Sequence, residues 1–189
     1  KSSLAYPYDF RGIIQHEAGG HGFGKLADEY IYHNAFISTC SCPCCDHGEI
    51  FNQYKSYGWY RNLEFTGDMH EVGWSHLIFN PKYSDVVDVY EGGYMHSRGV
   101  FRSEPNSCMN NNIPYYSAIS RQAIVERIMD YAGEEFTLEK FYANDKSTPG
   151  AITKAQAIAE GVDKYSVPGF SLYGHEHGPV YLGEHPNVK

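Results

Sequence analysis

His16-Glu17-Ala18-Gly19-Gly20-His21, continuing as Gly22-Phe23-Gly24-Lys25-Leu26-Ala27-Asp28-Glu29-Tyr30, is the stretch that decides how this chain is read. Two histidines and an intervening acid on one expected helix form the residue pattern of a catalytic zinc site. Neutral imidazole is a good zinc ligand, and a catalytic zinc takes three protein ligands and leaves a fourth position to water. The metal brings the pKa of that water to roughly 7. A carboxylate beside it can take the proton and hand it to a leaving amine, and Glu17, next to His16, stands where that role requires.

The spacing departs from the usual His-Glu-x-x-His. Ligands at i and i+4 lie about 40° apart around an α-helix, whereas His16 and His21, at i and i+5, lie about 140° apart. A regular α-helix cannot aim both rings at one metal. A single-turn π-bulge brings i and i+5 onto one face, and such bulges favour functional sites. The sequence therefore predicts a bulge at about Ala18 to Gly20, where two glycines ease the adjustment. Gly12, Gly19, Gly20, Gly22 and Gly24 each cost up to ~1 kcal/mol relative to Ala in a helix interior, so packing alone does not account for them.

A third ligand is expected just downstream. Gly24 stands where the metzincin pattern has the glycine that turns the chain back toward the metal. Three residues past it is Ala27, which has no donor, and Asp28 follows at once. Asp28 is the expected ligand, because an Asp oxygen ligates zinc acceptably. Glu29, one register further, is the alternative.

The run from His16 to Tyr30 resembles the active-site segment of the IgA-peptidase-like metallopeptidase family, with its small residues and Gly leading into Leu-Ala-Asp-Glu-Tyr. Tyr90-Glu91-Gly92-Gly93-Tyr94, Arg98-Gly99-Val100-Phe101-Arg102 and Asn106-Ser107-Cys108-Met109 extend the resemblance over roughly residues 9–129. It implies an α+β, zincin or metzincin-like catalytic domain holding Zn2+, with Met109 as the methionine of the turn beneath the metal. Tyr115 and Tyr116 then fall where some metzincins place a tyrosine that donates to the tetrahedral oxyanion, Tyr116 being the favoured one. Zincin domains also place a twisted sheet before the metal helix, its edge strand aligning substrate. Only about eight residues precede the expected helix N-cap, Asp9, so those strands are expected from an N-terminal segment outside this chain.

Composition bounds the rest. A chain of 189 residues with 42% hydrophobic residues fits one ordinary domain. Residues 1–146 are read as the catalytic domain and 147–189 as an extension packed on it. The formal net charge of −8, with no basic cluster, argues against a nucleic-acid partner. No run reaches the roughly 18 apolar residues of a membrane span.

Elsewhere the signals are local. Lys1 to Tyr8 are expected to be extended, and Asp9 to cap a helix ending near Gly22 to Gly24. Cys40, Cys42, Cys44 and Cys45 crowd into six residues, with Cys108 alone far downstream. Disulfides to Cys108 or to an absent N-terminal part, a second metal site and free thiols are the three readings, the first suiting an exported protein. Gly58–Phe65 and Val72–Phe79 read as loops with short strands, and Val86–Tyr90 as a strand. His70 and His76 are spaced for neither helix nor strand to join, and read as structural or surface residues. His96 and Arg98 approach the site again, as substrate contacts or as exposed charge.

Ser117 or Ser120 should cap a helix with Ile119, Ala123, Ile124, Ile128 and Tyr131 on its apolar face and Gly133 as its stop. A short helix is expected from Thr137 to Tyr142, another over Thr153–Ala159, and an extended piece over Val180–Leu182. His175, His177 and His185 read as loop residues.

These observations lead to the expectation of a bacterial zinc endopeptidase, secreted, periplasmic or on the cell surface, acting on a protein or peptide substrate. The rival readings are a zinc-containing domain that binds protein or glycan without hydrolysis, and a zinc-dependent amidase.

Overall fold

In a computed structural model the described residues are 10–40, 42, 44–146 and 151–159. The expected Asp9 cap, the extended 1–8 segment, Val180–Leu182 and the three C-terminal histidines lie outside them.

Helix α1 (Phe10–Ile14) runs directly into a π-helix spanning Gln15–Gly24. The sequence predicts one π turn, and the structure has ten consecutive residues in that geometry. Four of the last six residues of this segment are glycine, the residue with the freest backbone. The segment ends at Lys25, which adopts the left-handed conformation (φ 54°) and donates its N–H to the Gly20 carbonyl.

Strand β1 (Ile31–Phe36) follows, then α2 (Asp46–Tyr57), β2 (Leu63–Glu64) and α3 (Ser75–Ile78). Strands β3 (Tyr90–Gly93) and β4 (Met95–Arg102) form a hairpin, followed by α4 (Cys108–Asn111), α5 (Ala118–Ala132), α6 (Leu138–Asn144) and α7 (Lys154–Ala159). The molecule is mixed α+β with one small mixed sheet. Strand β4 is its centre. β3 pairs antiparallel along one edge, through Tyr90↔Arg102 and Gly93↔His96. β1, parallel, and β2, antiparallel, share the other edge. β1 carries two register irregularities and is paired on one side only among the described residues.

Four apolar clusters hold these pieces among the described residues, a small one of Tyr90, Ile152 and Ala157 and three larger or more central ones. Trp74, Leu77, Val87, Val89, Ile119 and Phe141 form the largest, between α3, α5 and α6. Ala27, Ile37, Ile50, Leu63 and Val100 fill the space between the sheet and α2. Leu26, Met109 and Ala123 lie beneath the π-helix, joined by Tyr116 and Ile124.

Several expectations are corrected. The run Val86–Val89 is not a strand: Val87 closes a turn onto Tyr83, and Trp74 Nε1 donates to the Asp88 carbonyl. Its valines are loop residues inserted into the core, so their apolar run reflects burial without a ladder. Val72–Phe79 contains α3 and no strand. Ser117 rather than Ser120 caps α5, accepting from the Ser120 N–H, and Gly133 ends it as expected. Ile128 and Tyr131, placed on its apolar face, are 51% and 71% exposed, because the cores cover only the N-terminal half of the helix. Thr137 caps α6, which continues two residues beyond Tyr142.

The cysteines also pair differently. Disulfides join Cys40 to Cys45 and Cys42 to Cys44, while Cys108 is a buried thiol whose Sγ lies 3.9 Å from the Gly12 carbonyl. Cys108 faces α1 from the floor of the molecule, out of reach of the surface cluster. Among the described residues no helix is long and apolar enough to cross a membrane.

Candidate metal centre

The π geometry places His16 and His21 on one face, as the i, i+5 spacing requires. Their Nε2 atoms are 3.1 Å apart, and Asp28 Oδ1 lies 2.9 Å from the first and 3.1 Å from the second. The opposite ring nitrogens are committed. His16 Nδ1 donates to the Cys108 carbonyl and His21 Nδ1 to the Leu26 carbonyl, each at 2.8 Å. A carbonyl only accepts, so each Nδ1 carries a proton, and in its neutral form each ring turns a lone pair inward. Two lone pairs and a carboxylate oxygen thus converge in one small triangle. Such a set repels itself unless a cation or an added proton fills it. Tetrahedral ligation with bonds of about 2.0–2.1 Å sets ligand atoms about 3.3 Å apart, close to this triangle.

The electrostatics agree. Burial acts to lower the His21 pKa, but the hydrogen bond and charge of Asp28, the Leu26 carbonyl and the charge of Glu17 outweigh it and raise the pKa. Burial acts to raise Asp28, but the hydrogen bonds and charges of His16 and His21 hold its carboxyl well below the usual range. The pocket favours positive charge at its centre.

The chain reaches Asp28 by a fixed route. After Lys25, the Asn62 side chain brackets Ala27, accepting from its N–H and donating to its carbonyl, both at 2.9 Å. Glu29 N–H donates to the Met109 carbonyl at 2.8 Å, clamping the far end. Between these clamps Asp28 faces the histidines. Glu29 faces the interior, with no exposed surface, accepting from Ser107 Oγ and from Asn62 Nδ2 at 2.8 Å. Burial raises its pKa against those bonds and the Arg102 charge. Glu29 is therefore not positioned as the third ligand, and Asp28 is.

Glu17 is partly exposed on the π-helix and close enough to His21 for its charge to act there. Met109 is fully buried below Gly20, so near that a Cβ on Gly20 would collide with its Sδ. A side chain at position 20 would have to displace the end of Met109. Tyr116 lies beside Met109 under Gly19 and Gly20, with its hydroxyl donating to the Gln15 carbonyl. The structure thus brings His16, Glu17, His21, Asp28, Met109 and Tyr116 into one region, with Tyr116 bonded to the helix backbone.

Sequence reasoning missed two contributors. Tyr30 stacks on His16, with centroids 6.2 Å apart and planes 22° apart, and its phenol interacts with Asp28. Its place two residues after Asp28 in the Leu-Ala-Asp-Glu-Tyr run was the available signal. The Asn62 bracket, 35 residues away in sequence, had none. Cys108 contributes its carbonyl rather than its sulfur, and burial pushes that thiol up to about 12.

The remaining histidines lie elsewhere. His76 Nε2 bonds Gln122 Oε1 at 2.7 Å and the His70 ring stacks on Phe79. His96 pairs with Asp46 at 2.7 Å, and the Arg98 guanidinium lies over the Phe36 ring. Against known proteins, no family model and no curated protein matches the chain.

Proposed function

We propose that this chain is the catalytic part of a zinc-dependent endopeptidase of zincin type, related to the IgA-peptidase-like family. The observation that carries this reading is the triangle of His16 Nε2, His21 Nε2 and Asp28 Oδ1, with both Nδ1 protons held on backbone carbonyls. A set of two imidazoles and one carboxylate suits zinc with an open fourth position. The ion would supply Lewis acidity and a water acidified to a pKa of about 7. Glu17 then accepts the proton of the attacking water on its carboxylate and returns it to the departing amide nitrogen. The Cys108 and Leu26 carbonyls hold both rings in the ligating tautomer, the usual outer-shell arrangement of metal-bound histidine.

Met109 and Tyr116 support the π-helix from below. For Tyr116 to donate to an oxyanion, its bond to Gln15 must first break. A peptide substrate is favoured over a small amide because β1 starts three residues after Asp28 and is paired on one side only among the described residues, open to an extended chain. The two disulfides favour an exported, oxidising location.

Elemental analysis and a casein-type hydrolysis assay test the reading together. Wild type should carry about one zinc per chain by the open-site stoichiometry of catalytic centres, His21→Ala should lose it, and Glu17→Gln should keep it while losing hydrolysis. Absence of zinc from wild type would sink the proposal. Zinc without cleavage of a broad peptide panel would favour the binding-domain reading.

A further inference from the structure

The four clustered cysteines lie outside the site described above and have no part in its chemistry. Their disulfides close sequence separations of only five and two residues, and both stay within the loop and the N-cap of the helix it leads into. A cross-link stabilises more, with the logarithm of the loop length, as it closes a longer loop, so these are poor staples for the fold. They do gather sulfur. Cys40 Sγ and Cys42 Sγ, which belong to different disulfides, lie 3.4 Å apart, and ligand atoms of Cys40, Cys42 and Cys44 fall within 4.8 Å of one another. Four thiolates around zinc, with Zn–S of about 2.3 Å, stand about 3.8 Å apart. The sulfurs of Cys40, Cys42 and Cys44 are thus gathered closely enough to face one ion, with Cys45 joined to Cys40 beside them.

Its setting offers sulfur a backbone donor. Cys45 is the N-cap of the twelve-residue α2, with its Sγ 3.4 Å from the Gly48 N–H. Contacts other than the disulfides also hold the loop. Cys45 N–H donates to the Cys42 carbonyl at 3.3 Å, and that carbonyl rests against Gly48, where a Cβ would leave it no room. His47 Nδ1 lies 3.2 Å from the Cys40 carbonyl, and its ring packs on Phe65 at 4.0 Å.

We propose that Cys40, Cys42, Cys44 and Cys45 form a redox-gated site for a soft divalent cation such as zinc, closed as two disulfides when oxidised and open as four thiolates when reduced. Opening consumes two equivalents of a dithiol reductant. In each exchange a thiolate of the reductant attacks one sulfur, the protein S–S bond breaks, and the second thiol resolves the mixed disulfide. Two protein disulfides become four thiols, two dithiols become two disulfides, and the four thiol protons leave as the metal binds. The site is separate from the histidine centre and stands independently of the peptidase reading.

Cobalt(II) titration of the full chain tests this, because cobalt bound by thiolate shows an intense near-ultraviolet charge-transfer band that nitrogen and oxygen ligands do not give. Oxidised protein should bind cobalt without that band. Protein reduced with a phosphine and freed of excess reductant should bind one further equivalent with the band. Cys42→Ser should weaken that binding at least tenfold, and a Cys40→Ser/Cys44→Ser double variant should abolish it. Circular dichroism, which should be unchanged on reduction, monitors the fold. Failure of reduced protein to take up the second equivalent, persistence of the band in the double variant, or collapse of the fold on reduction would each overturn the proposal. A failure of the histidine centre would instead show as loss of the band-free equivalent in oxidised protein.

Discussion

Residues 26–29 and strand β1, only two positions further along, share one stretch of chain in opposite environments. Leu26, Ala27 and Glu29 are withdrawn from water, and each is fixed by a partner distant in sequence: Met109 and Ala123 around Leu26, Asn62 around Ala27, Ser107 and Asn62 on Glu29. Tyr32 to Phe36 are exposed, Phe36 at 64%. The difference separates two jobs. A ligand loop must hold Asp28 to within a fraction of an ångström, which takes interior partners that over-determine its backbone. A strand that meets an extended partner needs an open edge. Asp28 and Glu29 show the same division at the scale of one residue, one carboxylate turned to His16 and His21 and the next built into the floor.

The sharpest way to break the comparison is at the chemistry. Glu17→Gln should lower peptide hydrolysis by about a hundred- to ten-thousand-fold with zinc content unchanged, while Asp28→Ala should remove zinc itself. Both are read by rate and metal analysis on the same preparations. If Asp28→Ala retained zinc as tightly as wild type, the triangle would not be the metal centre.

Next in size is the neighbour. Glu29→Ala strands the Asn62 amide, the Ser107 hydroxyl and the nearby buried Arg102 charge, and should destabilise by about 3 kcal/mol in urea unfolding. Asp28→Asn should cost far less stability and lose the metal. Equal losses in the two variants would erase the distinction drawn between them.

A smaller effect comes from Glu104, the other fully buried acid of the floor, which accepts from Tyr115 and from the Ala118 N–H at 2.7 Å each. Burial, opposed by those bonds, raises its pKa from 4.5 to about 7. The folded state thus binds more protons than the unfolded one between these values. Stability should fall as pH rises through that window, by at most about 1.4 kcal/mol per pH unit. Glu104→Gln should flatten the slope in pH-dependent unfolding, and an unchanged slope would assign it to other groups.

Smallest of all, Phe36→Ser on the exposed strand should shift stability by no more than about 0.5 kcal/mol. If it also alters KM for a peptide, the open strand takes part in substrate binding; a large loss of stability would show that β1 is not free.

Much of the site was legible because it is local. His16, Glu17, His21 and Asp28 fall within thirteen residues, and the chemistry of zinc restricts which residue types can share such a stretch. The i, i+5 spacing demanded π geometry, and Gly19 and Gly20 marked its place. The caps of α5 and α6 were equally local, each written in a Ser or Thr ahead of an apolar repeat. What tertiary structure alone decided was which carboxylate faces the two histidines. One register separates Asp28 from Glu29, and the choice is made by Asn62 and the Met109 carbonyl, which arrive from elsewhere in the chain. The same holds for the cysteines, whose pairing follows distance in space, and for Val86–Val89, whose apolar run fits a strand or a core loop equally well. Sequence names the groups that can do the chemistry; contacts between distant segments fix their orientation, because hydrogen bonds and close packing act over a few ångströms of space whatever the separation along the chain.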